Sequence, residues 1–551
     1  MKKRTLLTCG LAAALFAGCS SDDKLTVDDG TVSNGTGYVS LRIALPSTSG
    51  GMRADNQAND QYDEGDADEY KVNDVTLVFF NENKEVLSTH KLAGFSETGA
   101  GDNNGITVDY TLATQKVSGD AKFVLVLLNK PSALETDVAT FDKLNEAIDC
   151  SDVKTLTGAS ENSFFMSNTT LSDGAQSQTL VPIVPQTTIV NAEANKAIVY
   201  VERAVGKVEM SHAEGAGTNW SGWKYTIPTD AAVYAGDEIT INEWNIDLTN
   251  KTTYPVRKYD NSWSSITHNG YTRMLSAHNT PSTNPYGGTW QRTYWAEDPN
   301  YNVDEPNDPT SPSRQLKDND TFSPLTTTTT LYCPENTFDV EHMKQKNSTR
   351  VLLKAKYQPQ GFGVDETWYL LANSSTPKHV NAILEAVQAV VPTVTDLALP
   401  AGKTLKDNYE ASYFLKAGSV EVSTSELDAI KGAISSITKY DAGTCYYAVR
   451  IQHFGSYYTP WGSETNAPTP SGSADTFYNY TTTHTDNNTY YLGRYGIVRN
   501  NWYQLMLNSI SAPGEPTIPT PADSPDDVTN YYISATVKIM DWAVRKQSVN
   551  L

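Results

Sequence analysis

Apolar and polar residues alternate along most of the chain in short runs of period two, the spacing that puts every second side chain on one face of a strand. Between residues 38 and 45 the row Val39, Leu41, Ile43 and Leu45 makes such a face before Pro46 ends it. Further strands are predicted at 75–80, 85–87, 106–110, 122–129, 240–246, 351–357, 445–450 and 501–507. The run at 123–128 is wholly apolar, which suits a strand in the middle of a sandwich. Residues 197–208 alternate again and are expected to lead from one domain to the next. Helical spacing is rare. Phe141, Leu144 and Ile148 share it, Thr376-Pro377 opens an alanine-rich run to Val391, and Ser423 with Glu426 forms a capping box before Leu427 and Ile430. These patterns describe an all-β chain, mostly β with a few short helices, built as β-sandwiches.

The final segment, 531–551, repeats the design of the first strand. Ile533, Ala535, Val537 and Ile539 lie on one face, and after a change of phase Trp542 and Val544 continue the apolar pattern. It follows a Pro- and Asp-rich stretch, 513–530, whose composition reads as a flexible linker. A strand with an aliphatic face invites edge pairing, so it must dock in its own sheet or in another molecule's. The first strand is followed by a Gly-, Ser- and Asp-rich stretch, 47–69, expected to be an exposed loop whose acidic run at 63–69 is solvated. Arg53-Ala54 lies within it, in the kind of stretch an arginine-specific protease binds in extended form. A cut there would free the first strand and leave a groove that the terminal strand of a neighbour fits. The body between the two ends divides into 54–209 and 210–512.

The chain opens with Lys2-Lys3-Arg4, an apolar run, and Phe16-Ala17-Gly18-Cys19. That is a lipoprotein signal, 1–18, with Cys19 as the lipidated first residue of the exported form. Ser20-Ser21-Asp22-Asp23 follows, an acidic tetrad similar to those of Bacteroidota lipoproteins carried to the outer face of the outer membrane. Residues 19–53 then form a propeptide containing the first strand. A net charge of -22 over 551 residues argues against nucleic acid and anionic membranes as partners and fits extracellular life. Cys150, Cys333 and Cys445 have no metal-binding spacing and read as free, buried thiols. The eight histidines are scattered, and HExxH, GxSxG and a glycine-rich phosphate loop are all missing, so no catalytic residue, metal ligand or cofactor is assigned. The rival to an assembling subunit is a monomeric surface glycan-binding lipoprotein, with Trp220, Trp223, Trp263, Trp290 or Trp461 stacked on sugar rings.

Three stretches carry a family resemblance: Gly493-Arg494-Tyr495-Gly496-Ile497-Val498-Arg499-Asn500-Asn501-Trp502-Tyr503, then Ile510-Ser511-Ala512-Pro513-Gly514-Glu515-Pro516, then Val537-Lys538-Ile539-Met540-Asp541-Trp542. Support comes from Val201-Glu202-Arg203-Ala204-Val205-Gly206-Lys207-Val208, Tyr294-Trp295-Ala296-Glu297-Asp298-Pro299-Asn300-Tyr301 and Tyr332-Cys333-Pro334-Glu335-Asn336-Thr337. With these motifs the chain resembles the fimbrillins, shaft subunits of the type V pili of Bacteroidota, and is most similar to those of short fimbriae. The resemblance implies two transthyretin-like β-sandwich domains, cleavage after Arg53, and polymerisation by donor-strand exchange. Implied partners are further copies of the chain, anchor and tip subunits, an arginine-specific protease, and a host or bacterial receptor. The implied location is first the outer membrane, as a lipoprotein precursor, then an extracellular fimbrium. Tip and anchor roles are alternatives within the family.

Overall fold

In a computed structural model of the chain, the described residues are 35–46, 67–92, 96–100, 106–158, 163–215, 217–265, 267–268, 271–272, 274–279, 290–301, 313–317, 320–371, 374–399, 405, 414–433, 437–453, 492–524 and 533–541. Strands predominate and the helices are short, as the alternating pattern predicts.

The N-terminal strands are β1 (Thr36–Val39), β2 (Leu41–Pro46), β3 (Val75–Phe80), β4 (Val86–Leu92), β5 (Ser96–Ala100), β6 (Ile106–Thr111), β7 (Gln115–Ser118), β8 (Phe123–Leu128), β9 (Met166–Asn168) and β10 (Ala197–Arg203). They form a sheet in the order β4-β3-β8-β9-β10-β2-β6-β5, with Val181–Pro182 added beside β8 and β1 paired separately with β7. Residues 197–200 of β10 run parallel to β2, whereas Val201, Glu202 and Arg203 pair antiparallel with β9. Wrapped in this way, the sheet closes over one core that includes Leu41, Ile43, Leu77, Phe79, Val126 and Val199.

The second unit comprises β11 (Val205–His212), β12 (Glu238–Asp247), β13 (Thr330–Pro334), β14 (Arg350–Gln358), β15 (Thr444–Arg450), β16 (Asn501–Ile510) and β17 (Ile533–Asp541). One sheet runs β13-β11-β16-β17, and a second contains β12, β14 and β15 side by side. Their facing rows, among them Val208, Met210, Ile241, Trp244, Leu353, Tyr357, Tyr447 and Leu505, make a second core. The chain passes between the two sheets at Ala204, so the expected boundary at 209/210 falls inside β11. The run 197–208 reads as one strand-like stretch, with only the charged pair Glu202-Arg203 standing at the crossing.

The helical readings divide. At α1 (Phe141–Leu144) the helix stops early, and Ile148 instead pairs with Thr253 in a short ladder. Helix α2 (Val380–Val390) starts three residues beyond Pro377, because both backbone groups of Lys378 are bonded to Tyr369, at 2.8 and 3.0 Å. Helix α3 (Thr424–Ala433) begins with the expected capping box: Ser423 N–H donates to Glu426 Oε2 at 2.7 Å, and Glu426 N–H donates to Ser423 Oγ at 3.3 Å. Together α2 and α3 enclose a satellite core with Ile383, Val387, Phe414 and Ile430.

Two segments differ from their compositional reading. Glu69, placed by its neighbours in an exposed acidic loop, is 2% exposed, because it is drawn between the two sandwiches by Lys207 and Tyr332. Residues 513–524, expected to be a free linker, lie against the outer face of β14 and β15. Side chains and carbonyls there satisfy a backbone that is too proline-rich to form its own ladder.

Candidate assembly site

The first strand is built into the N-terminal sheet from both sides. β1 pairs with β7, and Tyr38 exchanges two backbone hydrogen bonds of 2.8 Å with Gln186. β2 lies between β10 and β6, so both edges of its backbone are occupied. Val39, Leu41 and Ile43 are buried in the first core, each contributing about 1.5–3 kcal/mol by burial. The strand position of Leu45 is described, but its side chain is not.

The last strand has a different setting. Among the described residues, β17 pairs with β16 alone, at the edge of its sheet. Ile533, Ala535, Val537 and Ile539 lie opposite Ile510, Leu507, Leu505 and Tyr503, with a bulge between Leu507 and Ser509. Cys19, Arg53, Ala54, Trp542 and Val544 fall outside the described residues.

Between the sandwiches lies a set of buried charges that pattern reading missed. Both oxygens of Glu202 accept from Arg257, at 2.8 and 3.0 Å, in a fork that leaves neither side chain exposed. Glu335 accepts from Arg499 Nε at 2.8 Å and from the Arg499 N–H at 3.2 Å. Burial raises the Glu335 carboxyl, but Arg499 and Arg257 outweigh it and hold the group below its ordinary value. Lys207 reaches Glu69 at 2.7 Å, and Arg203 donates to the Glu69 carbonyl at 2.8 Å and to Asn500 Oδ1 at 3.2 Å. Nearby Asp298 is pushed up to about 7 by burial, against donors on Asn300, Thr337 and Asn250. The one sequence signal was a charged pair, Glu202-Arg203, set inside an apolar strand.

The supporting motifs therefore meet at a single place: 201–208, 294–301, 332–337 and 493–503 all line the junction. Gly206 belongs to the same packing, since a Cβ there meets Ile497 Cγ2 at 2.5 Å. The described residues include no group of three or more side chains suited to a metal ion. Cys150, Cys333 and Cys445 are buried and free, as expected, and burial pushes the Cys445 thiol up to about 12. Of the tryptophans named for sugar stacking, Trp220, Trp223 and Trp263 are engaged in packing. Trp220 and Trp223 lie on the second core, where the Trp220 indole donates to the Asn508 carbonyl at 2.9 Å. Trp263 packs edge-on against Tyr259, Trp290 is half-buried, and Trp461 is outside the described residues.

Two family models match the sequence: "Major fimbrial subunit protein (FimA)" over residues 38–217, and "Major fimbrial subunit protein type IV, Fimbrillin, C-terminal" over residues 472–548. No curated protein matches the chain by sequence. Among solved structures, a putative cell adhesion protein of Parabacteroides distasonis is 14% identical with a TM-score of 0.37, covering 93% of this chain and 99% of its own. A fimbrillin of Porphyromonas gingivalis is 12% identical with a TM-score of 0.34, covering 93% and 98%. The tip fimbrial protein Mfa3 of the same organism is 10% identical with a TM-score of 0.32, covering 92% and 100%. The first family segment spans the first strand, the N-terminal sandwich and the crossing at Ala204, and the second contains β17. Over residues 38–217 and 472–548, then, the chain is similar to the fimbrillins, the family of major fimbrial subunit proteins that both models describe.

Proposed function

We propose that the chain is a shaft subunit, exported as a lipoprotein on Cys19, matured by an arginine-specific protease after Arg53, and polymerised by donor-strand exchange. In this reading each domain is transthyretin-like, the outer membrane holds the precursor, and the mature subunit joins copies of itself together with anchor and tip subunits. The fibre serves adhesion to a host or bacterial surface.

The observation that carries the reading is the contrast between the two end strands. Among the described residues, β2 has a partner on each side and β17 has one. A donor strand moving from an edge to the slot vacated by β2 gains a second ladder, each hydrogen bond adding about 0.5–1.5 kcal/mol. Its row Ile533, Ala535, Val537, Ile539 matches Val39, Leu41, Ile43, Leu45 in number and spacing. The product is a strand held on both edges, which escapes only by breaking many bonds together.

Replacing Val537→Asp together with Ile539→Asp places two carboxylates in that row. Secreted, folded monomers without fibres are expected in electron micrographs of sheared material. Fibres of wild-type length would overturn the proposal.

A further inference from the structure

The route from β16 to β17 is not a loose tether. The Tyr447 hydroxyl donates to the Ala512 carbonyl at 3.0 Å, and the Tyr440 hydroxyl donates to the Gly514 carbonyl at 3.0 Å. Tyr446 and Glu515 exchange backbone hydrogen bonds of 2.7 and 2.9 Å. Only glycine fits at 514, since a Cβ there meets the Tyr446 carbonyl at 2.3 Å. Ile518 covers the patch of Leu316, Phe322, Leu352 and Tyr446, and Arg350 Nη2 donates to the Pro519 carbonyl at 2.6 Å.

The path ends in a clasp. Gln345 N–H donates to the Ser524 carbonyl at 3.0 Å, and Lys346 N–H donates to the Ala522 carbonyl at 3.1 Å. The Gln345 amide donates to Ser524 Oγ at 2.9 Å, while Lys344 and Lys346 flank Asp523 at 2.9 and 3.1 Å. This turn sits beside the inter-domain junction: Thr349 N–H donates to Asn336 Oδ1, and Asn336 bridges to Ile497 just before β16.

We infer that residues 512–524 stay fastened to the outer face of β14 and β15 in the polymer, and that the clasp at Lys344, Gln345 and Lys346 is where the assembly arm leaves the subunit. The inference rests on the strand exchange proposed above. Every contact just described is made to β14, β15, the strand ending at Tyr440, the patch under Ile518 or the 344–346 turn. None is made to β17, so release of β17 breaks none of them. The working arm is then 525–551 rather than 513–551. Peeling off 513–524 as well lengthens the reach by up to about 40 Å, at roughly 3.3 Å per residue. Lys344, Gln345 and Lys346 are thus positioning residues for assembly: they start the arm at the junction end of the domain and fix its length.

Amide hydrogen exchange on the purified precursor and on sheared fibres tests this. Equal protection of the Gln345, Lys346, Tyr446 and Glu515 amides in both states is expected, with faster exchange along the β17-facing edge of β16 in the fibre. Loss of protection at those four amides on polymerisation overturns the inference while leaving strand exchange standing. Unchanged protection of β16 removes the strand exchange itself, and the inference with it. A Gln345→Cys, Ser524→Cys pair, oxidised to lock the clasp, is expected to polymerise like the wild type. Locked subunits that remain monomeric, where the reduced pair assembles, would refute a fixed exit point.

Discussion

A carboxylate removed from water keeps its charge only if fixed cations replace the solvent, and Glu335 is held in this way by Arg499 and Arg257. Its folded pKa lies below the ordinary 4.5, so the stability it contributes is present above that value and is lost as pH falls through the folded one. Glu335→Gln is therefore expected to flatten the acid limb of the stability profile, read by urea denaturation from pH 7 down to about 3. It also lowers stability at pH 7, because Arg499 is left buried without its partner charge. Glu69 is likewise buried and paired, with Lys207, at the other side of the junction. Its acidic neighbours gave it the look of a solvated residue, and nothing local reveals that Lys207 and Tyr332 come from distant strands to meet it. The aliphatic row of the first strand needed no such knowledge. Val39, Leu41 and Ile43 face the core because alternation itself sets the face.

Elements were readable in proportion to how local their causes are. The capping box of α3 is closed within four residues, and Ser423 and Glu426 are found bonded as their spacing predicts. Ser423→Ala is expected to cost about 1 kcal/mol, seen as a lower urea midpoint with unchanged slope. The start of α2 was misread because Lys378 is claimed by Tyr369, a contact across the fold. For 513–524 the sequence shows proline and aspartate, which in isolation describe a tether. Three tyrosines, an arginine and a lysine-bearing turn on other elements hold it in place. That segment also explains why Leu352 and Tyr446, on the outward face of their strands, are buried.

At the scale of the whole molecule, the proposed strand exchange has the two end strands of the chain competing for one kind of slot. While 36–46 occupies the N-terminal sheet, the slot next to β10 is filled. Arg53→Ala is thus expected to give lipidated, full-length subunits that do not assemble. N-terminal sequencing of surface material checks it: wild-type fibres should begin at Ala54, and fibres built from the uncleaved variant would contradict this order of events. The β-rich character was legible in the sequence, but the place where the chain crosses between the two sheets was not, because Ala204 lies inside the single strand-like stretch 197–208.

The crossing has a mechanical meaning. β10, beside the acceptor slot, continues through Ala204 directly into β11, which lies parallel to β16, the strand that carries β17. Under the proposed strand exchange, tension entering a subunit at its slot would run down one uninterrupted backbone into the second sheet. Either side of that crossing, Glu202, Arg203 and Lys207 bolt the two sandwiches together. In a fibre built by that exchange, these buried ion pairs would make each subunit one link that carries load from slot to donor strand without parting at the junction.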